Sequence, residues 1–152
     1  MAEAPIAGAV TAAALMSSPV VAVTMEHSLA AAWEAMRQRD VHHLAVLDSD
    51  GLVAVLDDRT VATEWPVGGP EAPHRRRVGE IVRRRPRCVL PETSAAEVAR
   101  AMVESGCDAV PVVTSTGGVV GLVTSTDLVM ALARGVAIDP PWAQTWEGGR
   151  HG

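Results

Sequence analysis

A hydroxyl and a carboxylate lie three residues apart in Thr124-Ser125-Thr126-Asp127, where one apolar run ends and Leu128-Val129-Met130-Ala131-Leu132 begins. At a strand-to-helix junction such side chains accept from the orphan amides of a helix N-terminus. The same groups stand where a ligand could reach them, so the pair is either a plain cap or the polar end of a binding site. His42-His43 opens another apolar run. In a strand the two rings face opposite sides and cannot grip one metal as a simple pair, and no third ligand is evident. Arg75–Arg77, Arg83–Arg85 and Arg87 concentrate positive charge. They read as a solvated surface or as a patch for phosphate or an acidic partner. Cys88 and Cys107, at the starts of expected strands, read as small buried side chains and have no Cys-x-x-Cys partner. The chain shows no nucleophile–base arrangement, no glycine-rich phosphate loop before a long helix and no metal-ligand cluster. The expectation is therefore no catalysis, no metal and no resident cofactor.

The elements that must position these groups follow from periodicity. Ala109–Val113 and Val119–Val123, joined by Ser115-Thr116-Gly117-Gly118, predict a hairpin, with a helix after Asp127. Before it, Cys88-Val89-Leu90 reads as a strand. Thr93 or Ser94 then caps a helix bearing Ala95, Val98, Ala99 and Met102. The first half carries the same order. Ala12–Met16 is one helical turn, Val20–Val23 a strand, and Ser28 the cap of a helix bearing Leu29, Ala32, Trp33 and Met36. Val41–Leu47 and Leu52–Leu56 flank the turn Asp48-Ser49-Asp50-Gly51, and a short helix covers Arg59–Trp65. Met36 and Met102 correspond at a spacing of 66 residues, as do Leu44–Leu47 and Val110–Val113, and Gly51 pairs with Gly118 after a one-residue slip. Such a duplication is harder to obtain by chance than any one motif. The fold class is α+β, built from two β-α-β-β-α halves. Pro66–Pro73, with three Pro and two Gly, separates them.

Composition narrows the function. A chain of 152 residues holds one compact unit or two small ones. Its apolar fraction of 48% suffices for a core, which must be filled without Phe or Tyr. A formal charge of −5, with all 13 basic residues arginine, argues against nucleic acid or an anionic membrane as partner. No run approaches the ~20 apolar residues of a membrane span. No basic start precedes the Ala-rich N-terminus, so no signal peptide is expected. A cytoplasmic setting is the expectation.

Pro111-Val112-Val113, Gly117-Gly118 and Gly121-Leu122-Val123-Thr124-x-x-Asp127 together resemble the signature of the cystathionine-β-synthase (CBS) domain family. The resemblance implies a tandem pair, with repeats over 12–65 and 78–135, a linker at 66–77 and a flexible tail at 136–152. It implies that the repeats pack through their sheets about a pseudo-twofold axis and that two chains form a disc-like homodimer through their helices. It also implies an adenosine-containing ligand: AMP, ADP, ATP or S-adenosylmethionine. Asp127 would receive the ribose hydroxyls, Thr124 would assist, and Leu122 would lie against the adenine. Residues around Ser18 and Val23 would complete the cleft, with His42 toward the phosphates or simply a polar strand start. The first repeat departs from the frame: Ala54 replaces Gly, Asp57 takes the hydroxyl's place and Thr60 that of the acid. One competent site per chain is expected, and Asp108 beside it disfavours a triphosphate. The implied function is a regulatory sensor of adenosine ligands. The alternative is a ligand-free scaffold for a protein partner.

Overall fold

Apolar residues at positions 29, 32 and 36, behind a serine, wind a helix whose buried stripe faces one small sheet. In the computed structural model, which describes residues 10–83 and 86–135, this is α2 (Leu29–Arg39). Ser28 Oγ caps it by accepting from the Ala31 amide at 3.0 Å, and Asp40, at φ 52°, ends it in the left-handed region. The helix covers β1 (Ala22–Thr24), β2 (His43–Asp48) and β3 (Gly51–Asp57), in sheet order β1-β2-β3. β1 runs parallel to β2 with Val23 opposite Val46, and β2 antiparallel to β3 with a register shift at Val46/Leu47. Val23, Ala32, Met36, Leu44, Val46, Ala54, Leu56, Val61 and Val78 form the core. Each large member contributes about 1.5–3 kcal/mol by leaving water. The second strand begins at His43 and not Val41, because the Val41 amide donates to Met36 O at 3.0 Å and completes the helix end.

After β3 comes α3 (Asp58–Glu64). The Pro/Gly-rich stretch expected as linker contains a helical turn, α4 (Ala72–Arg75), with Ala72 and Pro73 buried and α2 as its neighbour. Proline suits a first turn, where its missing N–H costs nothing. Arg76 ties this turn down through Glu64 Oε2 at 2.9 Å and Glu64 O at 2.8 Å.

The second repeat reproduces the first. Its helices and strands are α5 (Ala95–Ser105), β4 (Ala109–Val113), β5 (Val119–Thr124) and α6 (Ser125–Ala133). Ser94 caps α5, and Gly106 ends it at φ 68°. β4 and β5 pair, and Val89 bridges in parallel to Val112, the same register as Val23 on Val46. The expected strand Cys88–Leu90 is thus reduced to one bridging residue. Cys88 and Cys107 are both exposed, not buried: apolar packing is done by Val89 and Ala109 beside them. The left-handed turn glycines are Gly51 (φ 117°) and Gly117 (φ 92°). The copies therefore stay aligned through Gly117, and the extra residue falls after it, not before it as the Gly51–Gly118 pairing expected.

The chain divides into two compact units, and their membership differs from the sequence order of the repeats. One unit holds residues 10–18, 87–114 and 121–135; the other holds 19–83, 86 and 115–120. Each repeat's lead segment is exchanged. The first lead includes α1 (Ala12–Leu15), which packs against α5 and α6. Ala12 and Ala13 donate to Thr93 O at 2.8 Å and Pro91 O at 2.9 Å. The second lead includes the 3₁₀ turn Val78–Glu80, whose Val78 and Gly79 donate to His27 O at 2.8 Å and Met25 O at 3.0 Å. These bonds match residue for residue between the copies. Arg84 and Arg85, the N-terminal lead-in at 1–9, and the tail at 136–152 with Trp142 and Trp146 lie outside the described residues.

Candidate functional site

Thr124 ends β5 in extended geometry and becomes the N-cap of α6. Its Oγ1 accepts from the Asp127 amide at 3.3 Å, while Asp127 Oδ2 accepts from the Thr124 amide at 2.7 Å and from Thr124 Oγ1 at 3.1 Å. This reciprocal arrangement satisfies two amides and is worth about 1 kcal/mol to the helix. Two of these bonds hold the half-buried carboxylate, and both fall on Oδ2. Capping thus engages the acid through Oδ2 and leaves Oδ1 outside these bonds.

Other parts of the same unit frame this junction. Leu122 is buried, and its backbone pairs both ways with Ser17, at 2.9 and 3.2 Å, which places exposed Ser18 next along the chain. Gly121 is needed for close approach. A Cβ there would lie 2.4 Å from Met16 Sδ. So Ser18, Leu122, Thr124 and Asp127 belong to one unit.

Val23 and His42 belong to the other unit. Val23 is 5% exposed and points into the core from β1, so it presents backbone and no side chain. The exposed His42 has one of its two ring nitrogens engaged. Its Nδ1 lies 2.8 Å from Asp58 Oδ2, and the Asp58 amide donates to His42 O at 3.0 Å, which pins the entry to β2 onto the start of α3. Sixteen residues separate the two partners, a long-range pairing that sequence spacing did not signal.

The first repeat keeps the cap with its chemistry reversed. Asp57 is the N-cap of α3, and its Oδ1 accepts from the Thr60 amide at 2.6 Å. Asp57 and Thr60, with Arg59, Thr63 and Glu64, line an open depression of about 290 Å³. The sequence had marked Asp57 and Thr60 only as departures from the second repeat's frame, not as the edge of a depression.

Three of the seven clustered arginines are engaged in ion pairs: Arg76 with Glu64 at 2.9 Å, Arg77 with Glu26 at 3.7 Å and Arg87 with Glu104 at 2.9 Å. Although Cys88 keeps an exposed surface, partial desolvation of its sulfur raises the thiol pKa from its ordinary value. Among the described residues no group of three or more His, Cys, Asp or Glu is placed to hold a metal ion. Among them, too, no helix is long and apolar enough to cross a membrane.

Two duplicated α+β units, each with a capped helix following a hairpin, define a tandem-repeat module with a polar strand–helix junction in each copy. The chain belongs to the CBS domain family, whose profile matches residues 12–65 and 78–134. A CBS domain-containing protein of Dictyostelium discoideum is 27% identical over 137 residues, covering 84% of this chain and 94% of its own. Among solved structures, Hypoxic Response Protein I with two coordinated zinc ions is 29% identical. It has a TM-score of 0.67 and covers 79% of this chain and 97% of its own. A CBS domain pair in complex with 5′-methylthioadenosine and S-adenosylmethionine reaches a TM-score of 0.74 at 21% identity, over 82% of this chain and 97% of its own. CBSX2 in complex with AMP reaches 0.67 at 23% identity over the same shares, 82% and 97%.

Proposed function

We propose that the protein is a regulatory, non-catalytic CBS pair that senses an adenosine-containing ligand, among AMP, ADP, ATP and S-adenosylmethionine, at the α6 junction. The reading rests on one observation: the Thr124–Asp127 cap holds a carboxylate in a fixed rotamer with Oδ1 available to a sugar diol. Leu122 and Ser18 flank it in the same unit. Solved pairs of the same fold carry ligands of this class. Ligand binding selects one arrangement of the module and so transmits a signal.

Two chains associate through the exposed apolar residues Val103 on α5 and Val129, Met130 and Leu132 on α6. The setting is cytoplasmic. Sedimentation of the wild type against Leu132→Glu tests the homodimer; a concentration-independent monomer mass for the wild type overturns it.

Titration calorimetry with the four ligands tests the sensor. One site per chain is expected, and Thr124→Ala with Asp127→Ala should abolish it. Silence of the wild type across the panel overturns the sensor and leaves the scaffold for a protein partner, the reading that the reversed Asp57–Thr60 pair favours.

A further inference from the structure

The two repeats clothe their outer helices differently. In the first, α3 exposes Arg59, Ala62 and Thr63, and two indoles fill the space beside it. Trp33 on α2 and Trp65 just after α3 are half-buried, with ring centres 6.0 Å apart and planes tilted by 59°. Both pack against the core cluster of that unit. Aligning the helix caps, Ser28 with Ser94 and Asp57 with Thr124, sets Ala99 at the place of Trp33 and Leu132 at that of Trp65. By the same alignment Arg37 becomes Val103, Ala62 becomes Val129 and Thr63 becomes Met130. The second repeat has lost its indoles and gained aliphatic side chains. Val103 is nevertheless 83% exposed, and Val129, Met130 and Leu132 lie between 46% and 63%.

Over residues 128–132 α6 is apolar all round, and such a helix belongs in an interior. Among the described residues α1 and α5 pack against it, and they leave Val129, Met130 and Leu132 uncovered. An exposed face of this kind marks a docking surface. The first repeat shows what completes such a face: an indole. The other two tryptophans of the chain, Trp142 and Trp146, follow α6 directly in sequence. Gly135, at φ 83°, donates to Leu132 O at 3.0 Å and turns the chain off the helix axis beside that residue. The seven residues from Gly135 to Trp142 reach up to ~23–25 Å. The nine residues of α6 span only ~14 Å, so either indole can reach the whole exposed face. Asp139-Pro140-Pro141 is a helix-start pattern, and the spacing of Trp142 and Trp146 sets both on one side of a helical turn.

We propose that residues 139–146 dock in cis on the α5–α6 face, where Trp142 and Trp146 cover Val129, Met130 and Leu132. An indole buries ~150–250 Å² of surface, enough to cover aliphatic side chains of this size. The tail then supplies to the second repeat what Trp33 and Trp65 supply to the first. A second copy reaching the same face must displace the tail, so the tail sets the strength of the homodimer. That competition rests on the homodimer reading, whereas the docking itself stands without it.

The test compares the full wild-type chain with a full-length variant carrying Trp142→Ala and Trp146→Ala. In dilute wild-type protein, nuclear Overhauser cross-peaks are expected from either indole to the methyl groups of Val129, Met130 or Leu132. Mixing isotope-labelled with unlabelled chains separates contacts within one chain from contacts between two. In sedimentation the variant should dimerise about tenfold more tightly, because a tail that covers the face about nine-tenths of the time leaves a tenth of the chains competent. A wild-type spectrum without these cross-peaks, or with cross-peaks only between chains, overturns the docking. Cross-peaks together with equal dimer constants in the two proteins overturn the competition. A monomer in both proteins removes the homodimer and leaves the cross-peaks to decide the docking.

Discussion

Gly121→Ala is the sharpest test of how the lead segment seats against the candidate site. An added Cβ would lie 2.4 Å from Met16 Sδ, 2.7 Å from Cγ and 2.8 Å from Cβ. Contacts between carbon atoms are optimal near 3.5–4.0 Å. Swinging the thioether away relieves the first two clashes but not the third, so the backbone of the lead must shift. It has little room: Ala12 and Ala13 are bonded to Thr93 O and Pro91 O, and Ser17 pairs both ways with Leu122. Overpacking of this kind costs about 1–3 kcal/mol, a large share of the ~5–15 kcal/mol that holds a domain together. Urea unfolding of Gly121→Ala should show that loss. Met16→Ala removes the two worst contacts, so the double variant should recover about 1 kcal/mol relative to the sum of the singles. A Gly121→Ala protein within about 0.5 kcal/mol of wild type, or strictly additive singles, would refute the close approach.

Further outcomes follow from single contacts. Thr124→Ala removes a cap acceptor and should cost about 0.5–2 kcal/mol in chemical denaturation, whereas Ser125→Ala, exposed and without a cap bond of its own, should change little. Glu64→Gln breaks the half-buried ion pair with Arg76. It should lower stability by about 1 kcal/mol at low salt, and high salt should shrink the difference in a wild-type comparison. Because desolvation raises the Cys88 thiol, less of it is thiolate near neutral pH. Alkylation in a Cys107→Ser background should therefore lag a free cysteine at neutral pH and close the gap as pH rises.

Local signals in this chain were legible and long-range ones were not. Ser28 and Ser94 announce α2 and α5 because a small hydroxyl before a 3.6-residue apolar period has one efficient use. The Thr124–Asp127 pair was legible as a cap for the same reason, and the structure shows both halves of it. The exchanged leads left no such trace. Ala12 and Val78 are each fully buried, yet neither sits in an amphipathic run, since its partners lie across a loop in the other copy's sequence. The Pro/Gly stretch misled for a related reason: composition reports turns, while Ala72, Pro73 and the Arg76–Glu64 pair make it a packed turn. His42 was assigned by analogy, and its bond to Asp58 depends on how β2 and α3 meet.

The duplication also shows what the departures in the first repeat mean. Ala54 stands where the second repeat has Gly121, and Val82 stands where it has Met16. Val82 packs against the core cluster that contains Ala54, so a smaller lead residue accompanies the larger residue on β3. Asp57 likewise takes the N-cap role of Thr124 and satisfies the Thr60 amide of α3. His27 and Thr93 close the same turn with different acceptors. In all three places backbone bonding or packing is preserved while the chemistry changes, so folding does not distinguish the two copies there. What distinguishes them is the order of the polar groups at the junction: a hydroxyl cap with the acid three residues on in the second repeat, and an acid at the cap itself in the first.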